Sequence, residues 1–301
     1  MCIRDRNYTE RYLLWLVAWA QDHYGTDPKM TGIEGFSMGG SGAISMAFNH
    51  PKVFSYILAR VPLTTYSDRV GFHGMRSIQR LNGLVGGFEA DRSIKTDEGV
   101  IVGERMDAIR IAAEHPGELP FLVMVSGRQD ESIPWANNPP FFEAMAAGRR
   151  GFMAYWNNGG HDMFRNLPVD VETHLSTLPA FANDRAYPAF SNFTANSNPG
   201  SGGLNDGDIE GAINRGLRWS DVQDTAEGFG VTVTADPAVA RLPARVDVTL
   251  RRLTAFVVAP NAALRVTVGD QARTVRADAD GRVTIENVEL TVLPVRIEVS
   301  R

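Results

Sequence analysis

Ser37 stands in Gly35-Phe36-Ser37-Met38-Gly39, a G-x-S-x-G pattern whose flanks suit nucleophilic chemistry. Met30 to Glu34 fits a short buried strand, and Gly40 to Phe48 is small and apolar at helical spacing. Strand, sharp turn and helix in that order make a nucleophile elbow, which presents the serine hydroxyl at a helix N-terminus. The partial positive charge there favours a developing oxyanion, and Met38 can offer its backbone N–H to it. A turn this tight calls for tiny residues two before and two after the serine; both are glycine, Gly35 and Gly39.

A serine hydroxyl is a weak nucleophile at neutral pH and needs a histidine base, itself oriented by an acid. Beyond an elbow the acid comes next in the chain and the histidine last. Pro120 to Val125 is a short apolar run that reads as a buried strand, and Asp130 lies just past its carboxyl end. Gly151 to Trp156 is the next strand, and Asn157-Asn158-Gly159-Gly160 leads from it to His161. Open α/β sheets build their sites at the carboxyl ends of strands, where Ser37, Asp130 and His161 all fall. Glu131 is the substitute acid. His23, His50, His115 and His174 sit in helical or turn contexts and read as surface or capping residues. His73, in an irregular insert, is a candidate to approach a substrate. Trp135, five residues past Asp130, and Trp156 are further candidates to line the pocket, or else structural tryptophans.

These residues resemble the α/β-hydrolase superfamily, closest to its prolyl-oligopeptidase-like and secreted-esterase branches. The resemblance rests on Gly35 to Gly40, on Gly127-Arg128-Gln129-Asp130-Glu131-Ser132-Ile133-Pro134 and on Gly159-Gly160-His161, and it covers about residues 7 to 180. It implies a mostly parallel sheet with flanking helices. Asp162 departs from the pattern, since glycine is more usual after the histidine, and this touches the local loop geometry. The resemblance also implies strands ahead of the elbow, one of whose loops gives a second oxyanion N–H. The segment before Met30 holds only a helix, with Asn7 and Glu10 as an N-terminal capping pair, an apolar face of Tyr12, Leu13, Trp15, Leu16, Val17 and Trp19, and Gly25 at its end. Met1-Cys2-Ile3-Arg4-Asp5-Arg6 looks like translated adapter sequence. The expectation is therefore a fragment lacking its early strands and second oxyanion donor, weakly active or inactive alone.

The chain has 301 residues and a net charge of −5, enough length for two domains and no basic surface for nucleic acid or membrane. Its longest apolar stretch, Leu13 to Ala20, is too short to span a bilayer. Residues 63 to about 103 form a glycine-containing insert where a substrate loop could sit. Composition shifts near residue 183. A linker over 183–210 then leads to period-two segments from 211 to 301, which read as a small β-sandwich. Asp206 and Asp208 in the linker read as a solvated turn. The sandwich is expected to be a separable accessory module resembling immunoglobulin-like domains of secreted hydrolases. The reading is thus 1–6 artefact, 7–182 hydrolase domain, 183–210 linker and 211–301 sandwich. The expected activity is hydrolysis of an acyl ester, small or polysaccharide-linked, through an acyl-enzyme, with no cofactor or metal, in a secreted or periplasmic protein. The alternatives are a prolyl-oligopeptidase-like peptidase and a non-catalytic binding or adhesion protein.

Overall fold

The computed structural model describes residues 8–66, 95–96 and 99–301. His73 and most of the insert lie outside the described residues, as do Asn7 and the six residues before it.

Four strands, β1 (Gly32–Phe36), β2 (Tyr56–Arg60), β3 (Phe121–Gly127) and β4 (Phe152–Asn157), pair in parallel in chain order. Every residue of β3 is buried, as a parallel strand covered on both faces requires. Alternate residues feed two cores. Leu122 and Met124 pack with Ile44, Phe48, Phe141 and Trp156 on one face, and Val123 and Val125 with Met153, Val171, Phe181 and Tyr187 on the other. Helix α2 (Met38–Asn49) runs from the end of β1 and α5 (Asn138–Ala147) from the loop after β3. The single helix read over 104–114 is two, α3 (Val102–Arg105) and α4 (Ala108–Glu114), because the Asp107 side chain caps the second at Arg110 N. Helix α6 (Val169–Ser176) follows β4.

Helix α1 (Tyr8–Tyr24) ends at Gly25, whose φ of +62° suits a left-handed cap. Its apolar face is not buried among the described residues: Tyr12 is 60% and Trp15 59% exposed, while Leu14 packs against their core. The capping pair expected of Asn7 with Glu10 falls outside the described residues at Asn7, and Glu10 itself stands in the first turn of α1. Its carboxylate takes a hydrogen bond from Arg105 at 2.6 Å and contacts His50, which pins α1 to the end of α2. No helix among the described residues is long and apolar enough to cross a membrane.

The C-terminal part holds two antiparallel sheets around one core. One has the order β11-β10-β13-β8-β7 and the other β12-β9-β5. Their strands are β5 (Tyr187–Ser191), β7 (Leu217–Asp224), β8 (Gly228–Ala235), β9 (Ala244–Arg251), β10 (Ala263–Val268), β11 (Gln271–Arg276), β12 (Thr284–Leu290) and β13 (Val295–Ser300). The boundaries differ from the sequence reading in two ways. β5 lies inside the expected linker yet pairs with β9 from Tyr187 opposite Arg251 to Ser191 opposite Asp247. β6 (Gly211–Ile213), expected to open the sandwich, instead joins the hydrolase sheet antiparallel to β4. The two units share a buried junction. Phe121, Phe181, Tyr187 and Trp219 form an aromatic cluster across it. Buried Arg252 donates to the carbonyls of Ala182 and Ser55, each at 2.9 Å.

Candidate active site

Ser37 joins β1 to α2 with φ 56° and ψ −122°, a conformation costly for a residue with a side chain. It is fixed from both sides. Its N–H donates to Arg60 O at 2.8 Å, and its carbonyl accepts from Ser41 N at 3.0 Å and Ser41 Oγ at 3.1 Å. A Cβ on Gly35 would stand 2.0 Å from Gly39 O, and one on Gly40 would stand 2.9 Å from Arg60 O. A Cβ on Gly39 would meet nothing within 4 Å. The steric demand for glycine therefore falls on Gly35 and Gly40, not on Gly39. Met38 opens α2, so its N–H is one of the amides that have no acceptor within the helix.

His161 Nε2 lies 2.8 Å from Ser37 Oγ, and His161 Nδ1 lies 2.7 Å from Asp130 Oδ2. The other oxygen of Asp130 accepts from Ser132 N at 2.8 Å and Ile133 N at 2.9 Å, so the carboxylate has a single orientation. Its side chain is 1% exposed, whereas that of His161 is 30% exposed. The imidazole packs against Phe36, with ring centres 5.0 Å apart, and Phe36 against Phe164 at 4.8 Å. The structure thus brings Ser37, Asp130 and His161 into one hydrogen-bonded relay at the carboxyl ends of β1, β3 and β4. Glu131 is exposed beside it and takes no part. Asp162 has φ −108° and ψ 16° at the N-cap of a short 3-10 turn, a conformation open to any residue, so glycine is not required there.

Trp135 and Trp156 do not line a pocket. They are 1% and 0% exposed, sit 5.4 Å apart in the core, and donate their indole N–H groups to Pro199 O at 3.0 Å and Asp208 O at 2.9 Å. Beside Trp135, Arg128, 1% exposed, donates to Asp208 O at 2.9 Å, Gly203 O at 2.7 Å, Leu204 O at 2.9 Å and Asp206 O at 2.6 Å. Its guanidinium stands 5.0 Å from the Trp135 ring centre. The segment read as a free linker is therefore folded over a cation and two indoles. Asp206 and Asp208 do not face solvent alone; they accept from Ser201 N and Asn198 N. Arg128 is two residues before Asp130, so this loop and the acid share one turn. The acid and histidine loops also touch: Gln129 N donates to Gly159 O at 3.0 Å, and a Cβ on Gly127 would lie 2.3 Å from the same oxygen.

A second polar brace escaped the sequence reading. Asn137, 0% exposed, accepts from Thr64 N and Thr64 Oγ1, both at 2.7 Å, and donates to Pro62 O at 3.0 Å. Ser41 Oγ accepts from Leu63 N at 2.9 Å. Together they hold the turn after β2, which includes Val61 at φ 44°, beside the elbow. Only an asparagine and an arginine next to apolar runs hinted at these roles. His174, read as a surface or capping residue, is 4% exposed. Burial first, then the nearby Arg218 cation, pushes its pKa down to about 4.

The parallel sheet, the elbow and the helices around them define an α/β-hydrolase fold. The model of the Esterase family, described as "Putative esterase", matches residues 4–180, and the chain belongs to that family. Curated proteins give no match. Among solved structures, an S-formylglutathione hydrolase from Agrobacterium tumefaciens is 19% identical at a TM-score of 0.41 and shares 56% of this chain and 55% of its own. FphF, a fluorophosphonate-binding serine hydrolase of Staphylococcus aureus, is 16% identical at 0.40, over 56% of this chain and 62% of its own. Acetyl xylan esterase 1 from a Thermoanaerobacterium species is 14% identical at 0.40, over 55% and 50%. The chain thus spans between half and two thirds of the length of these three structures.

Proposed function

We propose that the protein is a serine esterase in which Ser37 is the nucleophile, His161 the general base and acid, and Asp130 the orienting carboxylate. Ser37 Oγ attacks the acyl carbonyl and its proton passes to His161 Nε2. The alcohol leaves with that proton, and water then cleaves the acyl-enzyme by the same route in reverse. Asp130 fixes the tautomer that keeps Nε2 free to accept and stabilises the imidazolium. The N–H of Met38 serves the oxyanion. The observation that carries this reading is the relay of 2.8 Å and 2.7 Å contacts at an elbow serine in a strained conformation. Membership of the Esterase family favours an ester over a peptide bond.

The test is labelling with a fluorophosphonate probe, followed by peptide mapping and hydrolysis of p-nitrophenyl acetate. Labelling should map to Ser37, and Ser37→Ala should abolish both signals; a modified residue elsewhere would sink the assignment. The finer reading, a polysaccharide-linked ester cleaved by an exported enzyme with an immunoglobulin-like accessory unit, draws its support from the two-unit layout. Release of acetate from acetylated xylan at a kcat/KM above that for p-nitrophenyl acetate would uphold it, and no release would reject it.

A further inference from the structure

A cavity lies at the opposite end of the sheet from the relay. It measures about 260 Å³ and sits where α6 and the segment after it meet β5 and β7. Phe121, which begins β3, packs at a tilt against its His174 with ring centres 6.1 Å apart, whereas Gly127, which ends β3, lies three residues before Asp130. Seven residues of strand at about 3.3 Å each put roughly 20 Å between the two sites.

The walls combine two kinds of chemistry. Phe181, Tyr187 and Trp219 make three aromatic sides, with ring centres 5.5 to 6.2 Å apart. Arg218 and Arg185 bring two cations to the same space. Arg218 is half-buried, its one hydrogen bond among the described residues runs from Nη1 to Leu217 O at 2.9 Å, and desolvation lowers its pKa. Asp170, the carboxylate nearest in influence, is already held by Nε and Nη2 of Arg215, at 2.8 and 2.7 Å. His174 is 4% exposed, and neither ring nitrogen has a partner among the described residues. Buried donors left unpaired cost about 1–3 kcal/mol each, so a buried imidazole with no partner among the described residues, beside a guanidinium held by a single hydrogen bond, implies a polar occupant. Three aromatic faces imply that the rest of that occupant is apolar and flat.

The geometry points to a binding site, separate from the esterase centre, for a small carboxylate carried on an aromatic ring. The carboxylate pairs with Arg218, with Arg185 at the mouth, and takes the N–H of neutral His174. The ring lies among Phe181, Tyr187 and Trp219. A cavity of about 150 Å³ already holds benzene, so 260 Å³ admits a ring plus a carboxylate.

The test uses the full chain and titrates it with benzoate and with the neutral benzyl alcohol, read by calorimetry and ligand-observed NMR. Benzoate should saturate one site, and benzyl alcohol should bind about tenfold or more weakly, the charge-assisted bond being lost. Arg218→Gln should weaken benzoate by a similar factor and leave benzyl alcohol unchanged. Where that variant melts early, Val222→Trp, which fills the cavity from its β7 wall, should abolish binding of both. Protein blocked at Ser37 by a fluorophosphonate should bind benzoate as tightly as unblocked protein. The proposal is overturned by a cavity holding water only, with no saturable benzoate binding. It is also overturned by binding that Val222→Trp leaves intact, or by binding that vanishes on blocking Ser37, which would place the acid in the esterase site. None of these outcomes depends on ester turnover.

Discussion

Arg128→Met should loosen the candidate active site from beneath. The wild-type guanidinium is 1% exposed and holds four backbone carbonyls, of Gly203, Leu204, Asp206 and Asp208, at 2.6 to 2.9 Å. A hydrogen bond to a charged group contributes about 1.5–3 kcal/mol, which would give four such bonds roughly 6–12 kcal/mol. Desolvating the cation offsets much of that, and the carbonyls belong to a loop whose residues 203–210 are exposed, so water can take them over once the arginine is gone. A net loss of about 3 kcal/mol is what remains, equal to a fall in Tm of roughly 5–10 °C for a chain of this size. The chemistry should suffer too. Arg128 N donates to Asn157 O and Gln129 N to Gly159 O, so the turn carrying Asp130 and the loop carrying His161 move together. A shift of about 1 Å in such a relay lowers the rate roughly 10²-fold. The measurements are a melting curve and the second-order rate of fluorophosphonate labelling at Ser37. Arg128→Lys, with three donors and no fork, should fall between the two proteins. A methionine variant with wild-type Tm would refute the energetic argument. One with lowered Tm but a wild-type labelling rate would refute the coupling to Asp130.

Asp130→Asn should cut the labelling rate by about 10⁴ while leaving Tm within a few degrees, because the amide presents the wrong partner to His161 Nδ1; the same labelling assay checks this. Gly35→Ala should fail to accumulate as folded protein, whereas Gly39→Ala should fold and label normally, since only the first adds a Cβ 2.0 Å from a backbone oxygen. Soluble yield and circular dichroism separate them. His174 titrates near 6.5 in an unfolded chain and near 4 when folded, so between these values the unfolded state binds more protons and stability falls as pH falls. The penalty approaches about 3 kcal/mol below pH 4. His174→Phe should therefore melt with a flatter pH dependence from 6.5 to 4 than wild type, and identical slopes would refute the assignment. A chain ending at Ala182 loses β5, β6 and the carbonyls that satisfy Arg128, Trp135 and Trp156. It should give no cooperative melting transition, and a sharp transition near the wild-type Tm would contradict this account of the junction.

Much of the relay was legible because its requirements are local. An elbow needs glycine at Gly35 and a small helix start, and a base or acid at the end of a parallel strand needs only a short apolar run before it. Ser37, Asp130 and His161 follow from those rules, and the strands around them shift by no more than two or three residues. What stayed hidden is long-range. Nothing near Arg128 announces that its partners lie 75 to 80 positions later in the chain. The indoles of Trp135 and Trp156 look as fit for a pocket as for a core until the carbonyls of Pro199 and Asp208 are placed beside them. β5 carries a proline and small residues, so its pairing with β9 leaves no clear period-two trace. His174 sits in a helix rich in polar residues, and its burial involves residues distant in the chain, among them Phe121 at the start of β3.

The path of the chain bears on how such a protein can be built and rebuilt. It leaves the parallel sheet after β4, lays β5 into the far sandwich, returns to edge the parallel sheet with β6, and crosses again to β7. Modules strung end to end can be traded by a single recombination event. Here every crossover between β4 and β7 would strand a piece of one unit inside the other. Grafting this C-terminal part onto another hydrolase would require the graft to bring β5, β6 and the 198–208 loop, and the recipient to offer their counterparts of Arg128, Trp135 and Trp156. The two parts are therefore bound to change together, as halves of one inherited object.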